Sequence, residues 1–171
     1  MKIIQNYQSL NPKIRSVFFI AALIIIGILV GQIISQLSAP ILLENIEQPH
    51  HPSPPFSLTE DQKQGILDAY SRVSMILCAE IALLLGLIHV YVGTYSKTRS
   101  RYLIGFILFV SVFFIKSVSY FVAMTPLFSD SVRASPLSID PVLGGSFGPF
   151  GVYFTLFEIV AICILIYLSR E

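Results

Sequence analysis

The sequence has no tryptophan, two cysteines and few charged side chains, with Asp, Glu, Lys and Arg making up 12% of its 171 residues. Soluble domains usually carry about 25% charged residues, so this composition argues against a soluble domain. The net charge of +1 gives no basic character for binding nucleic acid. Cys78 and Cys163 lie in apolar runs without CxxC or metal-ligand spacing. They are predicted to be buried thiols, and a redox pair would require their two helices to align them.

Motifs for catalysis and cofactor binding are also lacking. The sequence contains no HExxH, no GxSxG and no glycine-rich phosphate loop. The adjacent His50 and His51 are a weak signal for a metal. His89 lies in an apolar run and suggests a haem ligand, but b-type haem usually takes two histidines and no other histidine lies in such a run. We therefore expect no enzyme activity, metal or cofactor, and interpret His89 as a packed, hydrogen-bonded histidine.

Long apolar runs dominate the sequence, which is 54% hydrophobic with a mean hydropathy of +0.76. At 1.5 Å per residue, runs of about 20 residues can cross a hydrocarbon layer of ~30 Å as helices. The first run is longer than the apolar region of a signal peptide, which favours an uncleaved helix. The sequence therefore predicts an all-α integral membrane four-helix bundle as a single domain. The predicted helices cover about 14–37, 69–95, 102–125 and 149–168.

The charged residues outside these runs predict the orientation. Basic residues flank the helices on one side, and acidic residues dominate the predicted loops 38–68 and 126–148. Because basic flanks favour the cytoplasm, we predict a multi-pass cell-membrane protein with both termini cytoplasmic and both long loops external. The basic residues are Lys2, Lys13, Arg15, Lys97, Arg99, Arg101 and Arg170. The stretch SLTE, starting at Ser57, predicts a capping box at the start of the second helix.

Small residues on the first two helices predict close helix packing. Gly27 and Gly31 form a GxxxG pattern, and Ala82 and Gly86 share a face of the second helix. Helices in lipid associate through such small residues, because these let the backbones approach closely. The pattern is compatible with packing inside the chain and with packing against a second chain.

Three charged residues interrupt the apolar runs at similar predicted depths. Lys116 lies within FVSVFFIKSVSYFVAM, Glu80 within the second helix and Glu158 within the fourth. Counted at 1.5 Å per residue, all three fall within about 4 Å of the middle of their helices. A lone charge at the bilayer centre costs roughly 3 kcal/mol or more, so we expect the three to share one interior site.

The predicted cluster has three interpretations. It is a structural ion pair that fixes helix register, a proton or cation site in a transporter or channel, or a site completed by a ligand or partner. Two carboxylates and one ammonium give a net charge of −1, which protonation of one carboxyl would remove. The candidate accessory polar residues are Arg72, His89, Tyr120 and Thr155.

Two stretches, GTYSKTRSRYLIGFILFVSV and PFGVYFTLFEIVAICILIYLSR, resemble small uncharacterised polytopic membrane proteins of archaea. Those proteins have a short basic turn between two helices and a late helix with a central acidic residue. The resemblance implies an archaeal membrane protein and no known activity. We expect a non-enzymatic subunit, scaffold or sensor module, with the lipid bilayer and a homo-oligomer or larger membrane complex as partners. The alternative is a proton-coupled small-solute transporter or ion channel that works as an oligomer.

Overall fold

The computed structural model describes residues 12–47, 59–134 and 149–169. These residues form four α-helices and no strand, so the prediction of an all-α fold is confirmed. The helices are α1 (Pro12–Glu47), α2 (Glu60–Thr98), α3 (Arg101–Ala134) and α4 (Pro149–Ser169). By length and composition, α1, α2 and α3 can each cross a membrane, whereas the apolar part of α4, Tyr153–Leu168, is shorter.

Helix α2 is the central element of the bundle. It packs against each of the other three helices, whereas α3 and α4 approach each other closely at very few points. Between α2 and α3 the chain reverses at Arg99, which has a left-handed backbone (φ 48°) and donates its N–H to the Tyr95 carbonyl at 2.8 Å. We call the end of the bundle at this turn the basic end, because it carries Lys97, Arg99 and Arg101, and the opposite end the acidic end.

Helices α1 and α2 pack closely where α1 carries glycine. A Cβ atom on Gly27 would lie 2.5 Å from the Ala79 Cα, and one on Gly31 would lie 2.6 Å from the Met75 Cα. Ser74 Oγ donates to the Gly31 carbonyl at 3.1 Å across the same contact. Both glycines of the GxxxG pattern therefore join helices within the chain.

The small residues of α2 differ in their surroundings. A Cβ atom on Gly86 would collide with the Leu23 side chain of α1, so this glycine also lies in the α1–α2 contact. Ala82 is half-buried. The small-residue face of α2 thus includes positions that pack closely and positions that remain partly open.

The helices continue past the predicted ends of the apolar runs. α1 passes Pro40 and ends at Glu47, and α3 passes Pro126 and ends at Ala134. The loops predicted over 38–68 and 126–148 are therefore helical over 38–47 and 126–134, which corrects the prediction, whereas the helix over 60–68 agrees with the predicted start of the second helix near Ser57. The reason is a hydrophobic core at the acidic end, which stabilises turns too polar to stand out as apolar runs. Its members are Leu42, Ile46, Ile66, Ala69, Tyr70, Val73, Leu77 and Met124.

The start of α2 also differs from the prediction. The N-cap is Thr59, and its capping box is completed by Gln62, whose Oε1 accepts the Thr59 N–H at 3.0 Å. The predicted box from Ser57 to Glu60 is wrong, because the overlapping stretch TEDQ fits the same pattern two residues later. Ser57 itself lies outside the described residues.

Candidate functional site

Glu80 is the most deeply buried charged residue of the candidate site. It lies on α2 with 2% of its surface exposed. Ser117 Oγ on α3 donates to Glu80 Oε1 at 2.6 Å, and Ser117 is itself buried. A hydrogen bond to a charged or acidic partner is worth most where water is excluded, so Ser117 offsets part of the cost of burying this carboxyl.

The antiparallel packing of α2 and α3 brings Glu80 and Ser117 together. On the acidic side of the pair, the hydroxyls of Tyr70 and Thr125 lie 3.0 Å apart. On the basic side, the rings of Tyr91 and Phe106 pack with their centroids 4.3 Å apart. These contacts fix the register of the two helices on both sides of the carboxyl.

Lys116 and Glu158 connect α3 and α4. Lys116 Nζ donates to both carboxylate oxygens of Glu158, at 2.6 and 2.8 Å. The Lys116 side chain is 51% exposed at the surface of the bundle, and the Glu158 side chain is 17% exposed. Because α3 and α4 otherwise approach each other closely at very few points, this ion pair is a principal link between them.

The two contacts belong to one cluster. Glu80 and Lys116 line the same cavity, and Lys116 is paired with Glu158. The structure thus brings together the three residues that sequence depth placed at one level. With both carboxyls ionised, one ammonium faces two carboxylates and the cluster carries a net charge of −1. Such a charge in a medium of low dielectric is costly unless a proton or another cation removes it.

Two cavities lie on either side of the Lys116–Glu158 pair. The polar cavity, toward the acidic end, has a volume of about 250 Å³. Its lining includes Leu77, Glu80, Lys116, Ser117, Tyr120, Phe154 and Thr155. The apolar cavity, toward the basic end, has a volume of about 320 Å³ and is floored by Leu84 and Leu87 of α2. Its walls come from α3 and α4 and include Glu158.

The four accessory candidates divide into two groups. Tyr120 and Thr155 line the polar cavity beside Lys116. Arg72 is exposed and its Nε donates to the Asp68 carbonyl at 3.3 Å, about 12 Å along α2 from Glu80. The structure therefore brings Tyr120 and Thr155 to the cluster and leaves Arg72 outside it.

His89 is not the packed histidine that the sequence suggested. Its side chain is exposed, and it lies about 14 Å along α2 from Glu80. It belongs to a strip of α2 with exposed Leu85 and Val92, at the spacing of one helix face. This strip points away from the three helices that surround α2, which corrects the prediction.

No metal centre is formed by the described part of the chain, where no three or more His, Cys, Asp and Glu side chains lie close enough to hold an ion. Cys78 and Cys163 are both free thiols, Cys78 buried and Cys163 partly buried. His50 and His51 lie outside the described residues.

Ser117 is the functional residue that sequence reasoning missed. Ser117 lies about 100° around α3 from Lys116, so the two side chains face different neighbours. A signal was available, because a serine next to a lysine is a hydrogen-bond donor inside an apolar run. The sequence alone does not tell which neighbouring helix that donor faces.

Comparison with known families places the site in a wider group. A family described as a family of unknown function (DUF8036) matches residues 71–170, which is more than half of the chain. The chain belongs to this family. The matched region contains Glu80, Lys116, Ser117 and Glu158, so the whole cluster lies within it, whereas α1 lies outside it. No curated protein and no solved structure matches the chain.

Proposed function

We propose that the protein is an integral protein of the cell membrane with four spans and both termini in the cytoplasm. The length and apolar composition of α1, α2 and α3 support this, as do the exposed apolar side chains along α1 and α3. α4 is 21 residues long, or about 31 Å, which suits a fourth span. The basic residues at the α2–α3 turn support the orientation.

We further propose that it acts without catalysis, as a subunit, scaffold or sensor module of a membrane complex. The observation that carries this role is the Lys116–Glu158 pair, which links two helices that otherwise form a lateral cleft. A paired charge at one point of a cleft can fix the relative position of the helices, and a partner or ligand that disturbs the pair can change that position. Pairing with a second copy of the chain or with a larger complex fits the apolar outer faces of α3 and α4.

A second candidate is proton-coupled transport or ion conduction by an oligomer. The specific observation in its favour is the position of the cluster between two cavities. Charged residues in such a position are a usual feature of transport sites. The two functions differ in the behaviour of the carboxyls. A transport site must exchange its proton with water, whereas a structural cluster keeps one protonation state.

Infrared difference spectroscopy of the reconstituted protein tests this proposal. We expect the protonated carboxyl band of the cluster to stay constant from pH 5 to pH 8 in the wild type. A band that titrates reversibly near pH 7, and is lost in Glu80→Gln or Glu158→Gln, would favour the transporter instead. Glu60→Gln is the matched control, because Glu60 is exposed at the start of α2 and far from the cluster.

A further inference from the structure

The charge of the cluster is not balanced by the surrounding helices. Glu80 from α2 and Glu158 from α4 face Lys116 and Tyr120 from α3. Helix α1 adds no titratable side chain at this depth, because residues 17–34 contain none. With Tyr120 neutral, two carboxylates therefore share one ammonium. Either a proton or a bound cation must supply the missing positive charge.

The cleft that contains the cluster opens sideways, toward the region that lipid would occupy. Phe154 and Phe157 of α4 are 65% and 73% exposed, and the Lys116 side chain is half exposed. A molecule can thus approach the Lys116–Glu158 pair from the bilayer without crossing the packed interior around α2. This route favours ligands that partition into lipid over ligands that stay in water.

The two cavities differ in a way that suits an amphiphile. The polar cavity has carboxyl, ammonium and hydroxyl groups in its lining and roughly the space of eight water molecules. The apolar cavity is lined by aliphatic and phenylalanine side chains apart from Glu158. Because Glu158 lines the apolar cavity and its partner Lys116 lines the polar cavity, the ion pair lies between the two spaces.

We propose that the cleft between α3 and α4 is a binding site for a hydrophobic organic cation, a single alkyl chain with an ammonium head. The head binds between the Glu80 and Glu158 carboxyls, and the chain occupies the apolar cavity toward Leu165. The proposal rests on the membrane insertion proposed above. In that orientation the head lies near the middle of the membrane, and the chain extends from it toward the basic end of the bundle.

Binding of this cation replaces a proton. Without ligand, one proton on the Glu80–Glu158 pair balances the cluster, and the ammonium head takes over that role when it binds. One proton leaves the protein for each cation bound, while the amine itself stays charged below pH 9, since alkylamines have a pKa near 10.4. Linkage then requires the dissociation constant to fall about tenfold for each unit of rising pH.

The test uses the full-length protein in phosphatidylcholine nanodiscs, with dodecylammonium as the probe and calorimetric titration as the readout. We expect saturable binding of one dodecylammonium per chain, above the partitioning measured in empty nanodiscs. The dissociation constant should fall about tenfold per pH unit from pH 6 to pH 8. Glu80→Gln and Glu158→Gln should each weaken binding at least tenfold, and Glu60→Gln should leave it unchanged.

Two further comparisons separate the head from the chain. Dodecanol and dodecyl sulfate should not compete, because they lack the positive charge. Ala161→Phe, which fills the apolar cavity without changing any charge, should weaken dodecylammonium binding in a protein whose helix content by circular dichroism is unchanged. Butylammonium should bind at least tenfold more weakly than dodecylammonium.

Several results would overturn the proposal. Binding no greater than in empty nanodiscs, or unchanged by Glu158→Gln, would remove the site. Equal affinity for butylammonium would exclude the apolar cavity as the chain site, and an affinity independent of pH would exclude proton replacement. Failure of this test can be distinguished from failure of the proposed function. The orientation and the carboxyl titration are measured without ligand, so their results do not depend on whether the amine binds.

Discussion

At the scale of single residues, the contacts of the cluster offset the free-energy cost of removing charged groups from water. Each of its carboxyls has a partner on another helix: Ser117 for Glu80, and Lys116 for Glu158. Removing one member of such a pair leaves the other buried without compensation, and that costs more than the pair itself contributes. Single and combined substitutions should therefore have unequal effects.

Lys116→Met should destabilise the protein by about 1–3 kcal/mol, because it leaves two carboxyls without their ammonium; the half-exposed lysine keeps the cost below that of a fully buried pair. The triple variant Glu80→Gln, Lys116→Met, Glu158→Gln should be more stable than the single variant, since no buried charge remains. Thermal melts in detergent measure both. If the triple variant melts below Lys116→Met, the three side chains do not act as one cluster.

Ser117→Ala should cost about 1–3 kcal/mol, because the buried Glu80 carboxyl loses its 2.6 Å hydrogen bond. The matched control is Ser119→Ala on the same helix, whose side chain is exposed. It should change the melting temperature little. Equal effects of the two substitutions would mean that the hydrogen bond to Glu80 adds nothing to stability.

The sequence predicted which charges would meet, but not how they pair. Depth follows from counting residues at a fixed rise, so Glu80, Lys116 and Glu158 could be assigned to one level. Pairing depends on how each helix is rotated about its axis, and the sequence does not contain that rotation directly. For this reason Ser117 was missed, and Arg72 and His89 were included although the structure places them elsewhere.

At the scale of helices, apolar runs predict the presence of helices well and helix ends poorly. The four predicted runs correspond to four helices, because each run is about 20 residues or longer and mostly apolar. The extra turns at the acidic end were missed because they alternate polar and apolar residues, and Pro40 and Pro126 suggested an end. Packing of Leu42 and Ile46 against α2 stabilises these turns despite the lost backbone donors.

The α1–α2 contact yields a test at the same scale. Gly27→Ala should destabilise the protein by about 1–3 kcal/mol, because the new methyl would lie 2.5 Å from the Ala79 Cα and the helices must separate. Gly105→Ala is the matched control, since a Cβ atom there meets nothing within 4 Å. The changes in melting temperature of the two variants should differ in sign or size. Similar losses of stability would contradict a close α1–α2 contact.

At the scale of the whole molecule, apolar side chains lie outside as well as inside. Large aliphatic and aromatic residues on α1, α3 and α4 are exposed along most of each helix. In water such surfaces would drive aggregation, whereas lipid covers them at no cost. Outside the cluster, basic residues prevail at one end of the bundle and acidic residues at the other, which supports the proposed orientation across the membrane.

That direction gives the prediction for the molecule as a whole. In a background without Cys78 and Cys163, a cysteine at Lys97 should resist a membrane-impermeant thiol reagent in intact cells, because basic turns stay in the cytoplasm. A cysteine at Gln64, exposed at the acidic end, should react. Permeabilised cells should label both, which shows that Lys97→Cys is protected by the membrane and not by packing. Reaction of Lys97→Cys but not of Gln64→Cys in intact cells would reverse the orientation, and protection of both would contradict a span of the cell membrane by α2.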